Sequence, residues 1–310
     1  MIMQFLILFA LIFIGYIFTI KKLISSDSIR ALSNIVMFLA LPSMVFYRVG
    51  TLDMNDGIIM GFFQMVLISF VLMGIGALVS RLYFFIRKTP VECRGVMEFG
   101  VIFSNNGFIG FPIALISFGE EGLLMMVATN FALHMVLFTY GIFLMQKNHK
   151  LDKKGMRHDL LLLVRQLSNP NIVAAILGLI ICTNEFSLSE SLWNFFLMVG
   201  NMATPLSMMF IGIVLTESKL SEIIKNRKVL EISFLRLVLM PILSWVVLSL
   251  FPVSQLILKV GVIFMALPSA ATLSLVSIQY KNNSELAAQV VFTTTLFSIA
   301  TLPLAIMLIR

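Results

Sequence analysis

Charge is scarce in this sequence. Only 12% of its 310 residues are Asp, Glu, Lys or Arg, against 59% hydrophobic residues and a mean hydropathy of +1.02. That leaves too little polar surface to cover a water-soluble globule, so the chain reads as a polytopic membrane protein. Cysteine is nearly absent too. Cys93 and Cys182 are the two present, and they are expected near opposite membrane faces, which excludes a disulfide between them and a cysteine-built metal cluster. No basic segment precedes the apolar start Met1 to Ile20, which Lys21 and Lys22 follow, so this stretch reads as a first span and not as a cleaved signal peptide. An intramembrane enzyme is the contrasting class of function. It would need a GxGD, GxSG or HExxH motif, and the sequence has none; it also lacks a Walker motif for ATP use, and no cofactor is expected. No stretch is long or polar enough to form a soluble domain.

What is present is a series of apolar runs. Ten spans are predicted: Ile2 to Ile20, Ala31 to Tyr47, Ile58 to Ser80, Gly95 to Phe118 (broken), Leu123 to Met145, Asn171 to Thr183, Leu192 to Thr216, Val229 to Phe251, Leu256 to Tyr280 (broken) and Glu285 to Ile309. The sixth is short for the roughly 20 residues of a crossing, and an interfacial helix from Leu160 to Leu167, suggested by Arg157 before it and Arg165 within it, is expected to lead into it. Alternate loops and their adjoining helix ends hold 19 of the 22 Lys and Arg residues, leaving only Arg48, Lys259 and Arg310 on the other face with Asp53, Asp56, Glu120, Glu121, Glu185 and Glu190. The basic face is cytoplasmic by the positive-inside rule, which puts both termini outside a bacterial cell membrane. The same rule accounts for the net charge of +7 without any nucleic-acid partner.

Polarity inside a span marks a site. Ser104-Asn105-Asn106-Gly107-Phe108-Ile109-Gly110-Phe111-Pro112 interrupts the fourth span near mid-membrane, and lipid has no hydrogen bonds to offer the backbone freed there. Such a break is tolerable where protein buries it or a cavity meets it, and half-helix ends there can face a substrate. A shift of 163 residues carries Pro42 to Pro205 and Asn105 to Pro268 in the ninth span. Two five-span halves, residues 1–145 and 171–310 around a basic connector at 146–170, would then lie inverted relative to each other.

These motifs carry a family resemblance. The SNNGFIGFP stretch, Leu41-Pro42, Thr204-Pro205-Leu206 and Met265-Ala266-Leu267-Pro268-Ser269-Ala270-Ala271 followed by Glu285-Leu286-Ala287-Ala288 resemble the auxin efflux carrier family in its bacterial form, over essentially the whole chain. The long cytoplasmic loop of many plant members is missing. The resemblance implies an all-α fold of ten helices in a five-plus-five inverted repeat, with broken helices four and nine crossing near their prolines. It also implies a homodimeric scaffold of helices one, two, six and seven, and a mobile transport domain that moves as an elevator. The expected substrates are small organic anions, carboxylates such as malate or malonate or an auxin-like acid, carried by a proton gradient or the membrane potential. A sodium-coupled symporter of the related bile-acid type is the alternative within transporters.

The polar residues within the spans each admit two readings. Asn105, Asn106 and Gly107 can contact the anion or cap the half-helix expected to open at Phe108, and Pro268, Ser269 and Thr272 can do the same from the ninth span. No fixed Lys or Arg is expected at that crossing. His134 can relay a proton or bond another helix, with Asn130 one turn earlier as its partner. Glu98 and Arg236, at similar depth, can form a structural ion pair, or Arg236 can attract the anion while Glu98 titrates as the coupling group. Asn34, Gln64 and Asn201 are expected in hydrogen bonds between helices, and Met202, Met208 and Met209 in packing.

Overall fold

In the computed structural model, residues 2–24, 26–53, 56–146, 169–183, 188–216 and 226–309 are described. Most of the basic connector, with Arg157, Arg165 and the expected helix from Leu160 to Leu167, lies outside them, as do Glu185, Lys219, Lys225 and Arg310. The described residues form helices, and their one departure toward strand is a single antiparallel bridge between Ser104 and Ser269. Among the described residues, six segments are long and apolar enough to cross a membrane: Ala31–Gly50, Gly57–Arg87, Asn106–Gln146, Glu190–Val214, Arg227–Ser249 and Ser284–Leu308. Shorter apolar helices cover Leu6–Ile20, Pro170–Thr183 and Gln255–Ala266.

In chain order the helices are α1 (Ile2–Ile20), α2 (Ser26–Ile35), α3 (Leu41–Gly50), α4 (Asp56–Arg87), α5 (Val91–Ile102), α6 (Phe111–Val136), α7 (Ile142–Gln146) and α8 (Pro170–Thr183). There follow α9 (Glu190–Asn201), α10 (Ala203–Val214), α11 (Arg227–Phe234), α12 (Met240–Ser249), α13 (Gln255–Ala266), α14 (Thr272–Gln279) and α15 (Ser284–Leu308). Four widened π turns lie between some of them, at Val36–Ala40, Asn106–Gly110, Leu137–Gly141 and Leu235–Leu239. Three of these stand two residues before a proline, Pro42, Pro112 or Pro241, each second in the helix that follows. A proline ring removes one N–H and collides with the carbonyl four residues back, and a locally wider turn relieves the collision while the helix continues. A full break comes at Gly119, whose φ of 71° and ψ of −158° need a residue without Cβ. It divides α6 at the boundary expected between Phe118 and Leu123. Lys22, Lys88 and Lys281 also hold left-handed φ values of 57°, 48° and 49°, each just past a helix, where a cation meets the electronegative carbonyl end.

The chain divides into two compact units, each drawn from both halves of the sequence. The first comprises Met1–Gln64, Gly107–Ala128 and Ser168–Glu217. Within it α1 packs chiefly on α10, and α3 on α8 and α9. Small residues permit the approach: a Cβ added to Gly15 would lie 2.1 Å from the Met209 carbonyl oxygen, and one added to Gly212 would lie 1.9 Å from that of Ile12. Gly178 meets α3 in the same manner, 3.1 Å from the Gly50 nitrogen and the Phe46 oxygen. Arg48 and Glu120, both assigned to the outer face, pair at 2.9 Å. Asn34, Gln64 and Asn201 are exposed in the single chain and not, as expected, bonded between helices; hydropathy places a residue along a helix but says nothing of its facing. Met208 is buried as a packing residue, whereas Met202 is exposed.

The second unit comprises Met65–Asn106, Thr129–Leu167 and Ser218–Arg310. Its centre is α15, which packs on α5, α11, α13, α14 and the Leu235–Leu239 turn, and buries the run Thr293, Thr294 and Thr295. At one end Glu231 joins Arg87 at 2.7 Å and Arg227 at 3.1 Å. Both cysteines are free, Cys93 buried with the Lys228 ammonium 3.2 Å from its sulfur.

The glycine contacts give a test. Gly15→Ala and Gly212→Ala should each lower the unfolding stability of the purified protein by about 1–3 kcal/mol, the usual cost of overpacking. Gly74→Ala, where an added Cβ meets nothing within 4 Å, should leave it near wild type. Equal behaviour of the three in thermal unfolding would mean that α1 and α10 do not approach so closely.

Candidate functional site

The site is the place where two helix interruptions meet. α5 stops at Ile102 and α13 at Ala266, because the residues that follow, Phe103 to Asn105 and Leu267 to Ala271, leave helical geometry before Asn106 and Thr272 resume it. The second half of the fourth span thus opens at Asn106, two residues before the expected Phe108. The two extended pieces run antiparallel. Asn105 N–H donates to the Pro268 carbonyl at 2.9 Å, and Ala270 N–H donates to the Phe103 carbonyl at 2.9 Å, flanking the Ser104–Ser269 pair. Backbone groups freed by each break are therefore satisfied by the other break, deep in the protein.

Side chains lock the crossing. Ser104 Oγ donates to Asn106 Oδ1 at 2.8 Å, and Asn106 Nδ2 donates to Thr129 Oγ1 at 2.8 Å. Ser269 Oγ donates to the Gly100 carbonyl at 2.7 Å, while Ser269 N–H donates to Thr294 Oγ1 at 3.1 Å. Asn105, Asn106 and Ser269 are all buried. Thr272 begins α14, and its Oγ1 is buried with no hydrogen-bond partner among the described residues. Gly107 falls in the first unit, where an added Cβ would lie 3.9 Å from Leu41.

Arg236 is the residue that the sequence misplaced. It was expected beside Glu98, with no cation at the crossing. Instead its fully buried guanidinium donates to the carbonyls of Leu267 (2.7 Å), Val101 (2.7 Å), Ile102 (3.2 Å) and Phe264 (2.9 Å). These oxygens are the unsatisfied last acceptors of α5 and α13 and the first of the break. Each helix C-terminus carries about half a negative elementary charge, so two of them match one guanidinium without any carboxylate. The side chain is carried there by the π turn Leu235–Leu239, which changes the facing that an unbroken helix would give it.

Glu98 has other company. Its buried carboxylate accepts from the Tyr140 hydroxyl and lies 3.4 Å from Arg81 Nε, and Arg81 Nη2 donates to the Tyr140 oxygen at 2.7 Å. Neither Tyr140 nor Arg81 was singled out from the sequence, Arg81 having been counted only as a loop-side charge. His134 does engage Asn130, but through the Asn130 main-chain carbonyl, 2.8 Å from Nδ1, and not through its amide. That bond requires a proton on Nδ1. Thr129 and Thr294 were likewise missed, since a threonine in an apolar run gives no periodic signal.

Removing Arg236 orphans the carbonyls of both half-helices. Hydrogen bonds to a charged group contribute about 1.5–3 kcal/mol each, and a lysine presents no planar fork to span four oxygens. Arg236→Lys and Arg236→Gln should both reduce folded yield and lower the apparent unfolding temperature of the purified protein. Because Glu98 bonds elsewhere, Glu98→Gln should add to the Arg236→Gln loss without rescuing it. Recovery in the double variant would restore the ion pair that the structure replaces.

Known proteins resemble this chain along its whole length. The family described as "Membrane transport protein" matches residues 1–306. An uncharacterized transporter of Methanothermobacter thermautotrophicus is 24% identical over 95% of this chain and 93% of its own length. One of Methanocaldococcus jannaschii is 26% identical over 96% of each. A Rhizobium meliloti protein named "Putative malonate transporter" is 24% identical over 97% of this chain and 93% of its own.

Proposed function

The chain belongs to the membrane transport protein family, the auxin efflux carrier family of its motifs, whose members are transporters and not enzymes, and on that premise we propose a secondary carrier of small carboxylates. The observation that carries this reading is the buried antiparallel crossing of two interrupted helices. One end of it is balanced by Arg236, and on the other the unpartnered Thr272 hydroxyl opens α14. The anion binds at the crossing. Asn105 and Thr272 contact it, the electropositive first turn of α14 faces its charge, and Asn106, Ser269 and Pro268 shape the break. Arg236 spends its donors on carbonyls, so the site holds the anion by dipoles and short polar groups, which suits release in every cycle. The Rhizobium relative's name supports a dicarboxylate such as malonate as the first ligand to try.

The mechanism is alternating access of the elevator kind. The unit that contains the crossing carries the substrate, and the unit that contains α1, α3, α8, α9 and α10 is the scaffold. The ten spans form an inverted five-plus-five repeat. In support, the 163-residue shift that relates Pro42 to Pro205 also carries Gly15 to Gly178, and each of these glycines closes one of the two tight helix pairs in the first unit, α1 with α10 and α3 with α8. A second copy of the chain covers the exposed amides Asn34 and Asn201, as polar side chains in lipid favour helix association. The protein lies in the cell membrane with both termini outside. Glu98, buried against Tyr140 and Arg81, is the best placed coupling group, with His134 second.

Binding measurements test the site. Losing one hydrogen bond to a charged ligand costs about 1.5–3 kcal/mol, roughly a ten- to hundredfold rise in Kd. Malonate should raise the unfolding temperature of purified wild type. Asn105→Ala and Thr272→Val should raise its Kd by that factor while folded yield stays near wild type. If both variants bind malonate as wild type does, the crossing is a structural joint and the anion site lies elsewhere. Repeating the titration with and without sodium separates a proton- or potential-driven carrier, which is insensitive, from a sodium symporter.

A further inference from the structure

A second polar feature of the crossing's unit lies away from the crossing, at the end of α4. A cavity of about 740 Å³ is lined there by Arg81, Lys88, Arg94 and Glu98 beside Phe84, Phe85 and Ile86. Its wall thus has two chemistries. Phe85 and Ile86 are 82% and 66% exposed, and together with Leu78 and Leu82 they form an apolar face that only lipid tails would cover in a membrane. Three cations stand directly beyond that face against one carboxylate. Glu98 is already engaged by Arg81 and Tyr140. Arg94 uses Nε on the Thr89 carbonyl at 2.8 Å, and Lys88 is exposed with no ion-pair partner among the described residues.

We propose that this cavity is a binding site for the phosphate headgroup of an anionic phospholipid, with Lys88 and Arg94 on the phosphate and Phe85 and Ile86 along an acyl chain. The order along α4 is what such a ligand requires. Arg81 sits seven residues before Lys88, about 10 Å deeper at 1.5 Å per residue, so the cavity spans the depth over which tails give way to headgroups. A cation kept at that depth is costly unless an anion attends it, and Glu98 can attend only one of three. A soluble phosphate would satisfy the charges but leave the aromatic and aliphatic wall without a function. An acylated phosphate satisfies both. Basic pockets beside membrane helices recognise lipid headgroups by the same combination.

The test uses the full chain purified in neutral detergent, with native mass spectrometry to count bound lipid and thermal unfolding to read its effect. Phosphatidylglycerol should remain bound and stabilise wild type more than phosphatidylcholine does. Each cation near a headgroup is worth about fivefold in lipid affinity, so Lys88→Gln and Arg94→Gln should each lose about that factor. Lys88→Gln alters an exposed side chain and keeps the proposal testable even where Arg94→Gln folds poorly. Equal retention of the two lipids, or undiminished phosphatidylglycerol binding by Lys88→Gln, would overturn the proposal. Inorganic phosphate giving the whole stabilisation by itself would also overturn it, in favour of a soluble anion. Malonate binding at the crossing is expected to be unchanged in Lys88→Gln, so failure here is distinguishable from failure of the carrier reading.

Discussion

One buried guanidinium holds two broken helices together. Arg236 has no ion-pair partner among the described residues, and an isolated charge in so dry a place would cost several kcal/mol. The C-terminal carbonyls of α5 and α13 need donors as badly as Arg236 needs acceptors, and neither helix could stop in mid-membrane without one. Four hydrogen bonds from one side chain answer both needs. The antiparallel pairing of Phe103 to Asn105 with Pro268 to Ala270, and the serine and threonine bonds around it, are built upon that clamp.

The clamp also decides what is left over for a ligand. With the carbonyl ends neutralised by Arg236, the opposite sense of the interruption, where α14 begins with Thr272, keeps its electropositive character and a buried hydroxyl without a partner among the described residues. A carboxylate is the ligand that this polarity favours. On the carrier reading proposed above, binding needs no second fixed cation, so the crossing would release the anion in each cycle.

Much of this was legible from residues. Each apolar run became helix because lipid leaves the backbone no other partner, Gly119 stands at the expected division between the fourth and fifth spans, and the 163-residue shift put the Asn105 and Pro268 breaks in corresponding places, while their meeting was implied by the family resemblance alone. Depth was legible and facing was not. Glu98 and Arg236 share a depth, yet the π turn at Leu235–Leu239 turns Arg236 toward the crossing, and Glu98 meets Tyr140 and Arg81. Asn34, Gln64 and Asn201 failed as helix-to-helix bonds for the same reason. Thr129, Thr294 and Tyr140 were hidden because a lone hydroxyl in an apolar segment breaks no pattern.

On the carrier reading proposed above, the two breaks form one fixed joint that carries the substrate as a body. Ser104 and Ser269 oppose each other as a non-hydrogen-bonded antiparallel pair, a geometry with Cα atoms about 4.5 Å apart that admits a disulfide. Ser104→Cys with Ser269→Cys, in a chain whose Cys93 and Cys182 are replaced, can be oxidised and reconstituted for malonate transport. The account predicts that the cross-linked protein transports as the reduced one does. Transport that stops on oxidation and returns on reduction would show that the breaks separate during the cycle, and would contradict it.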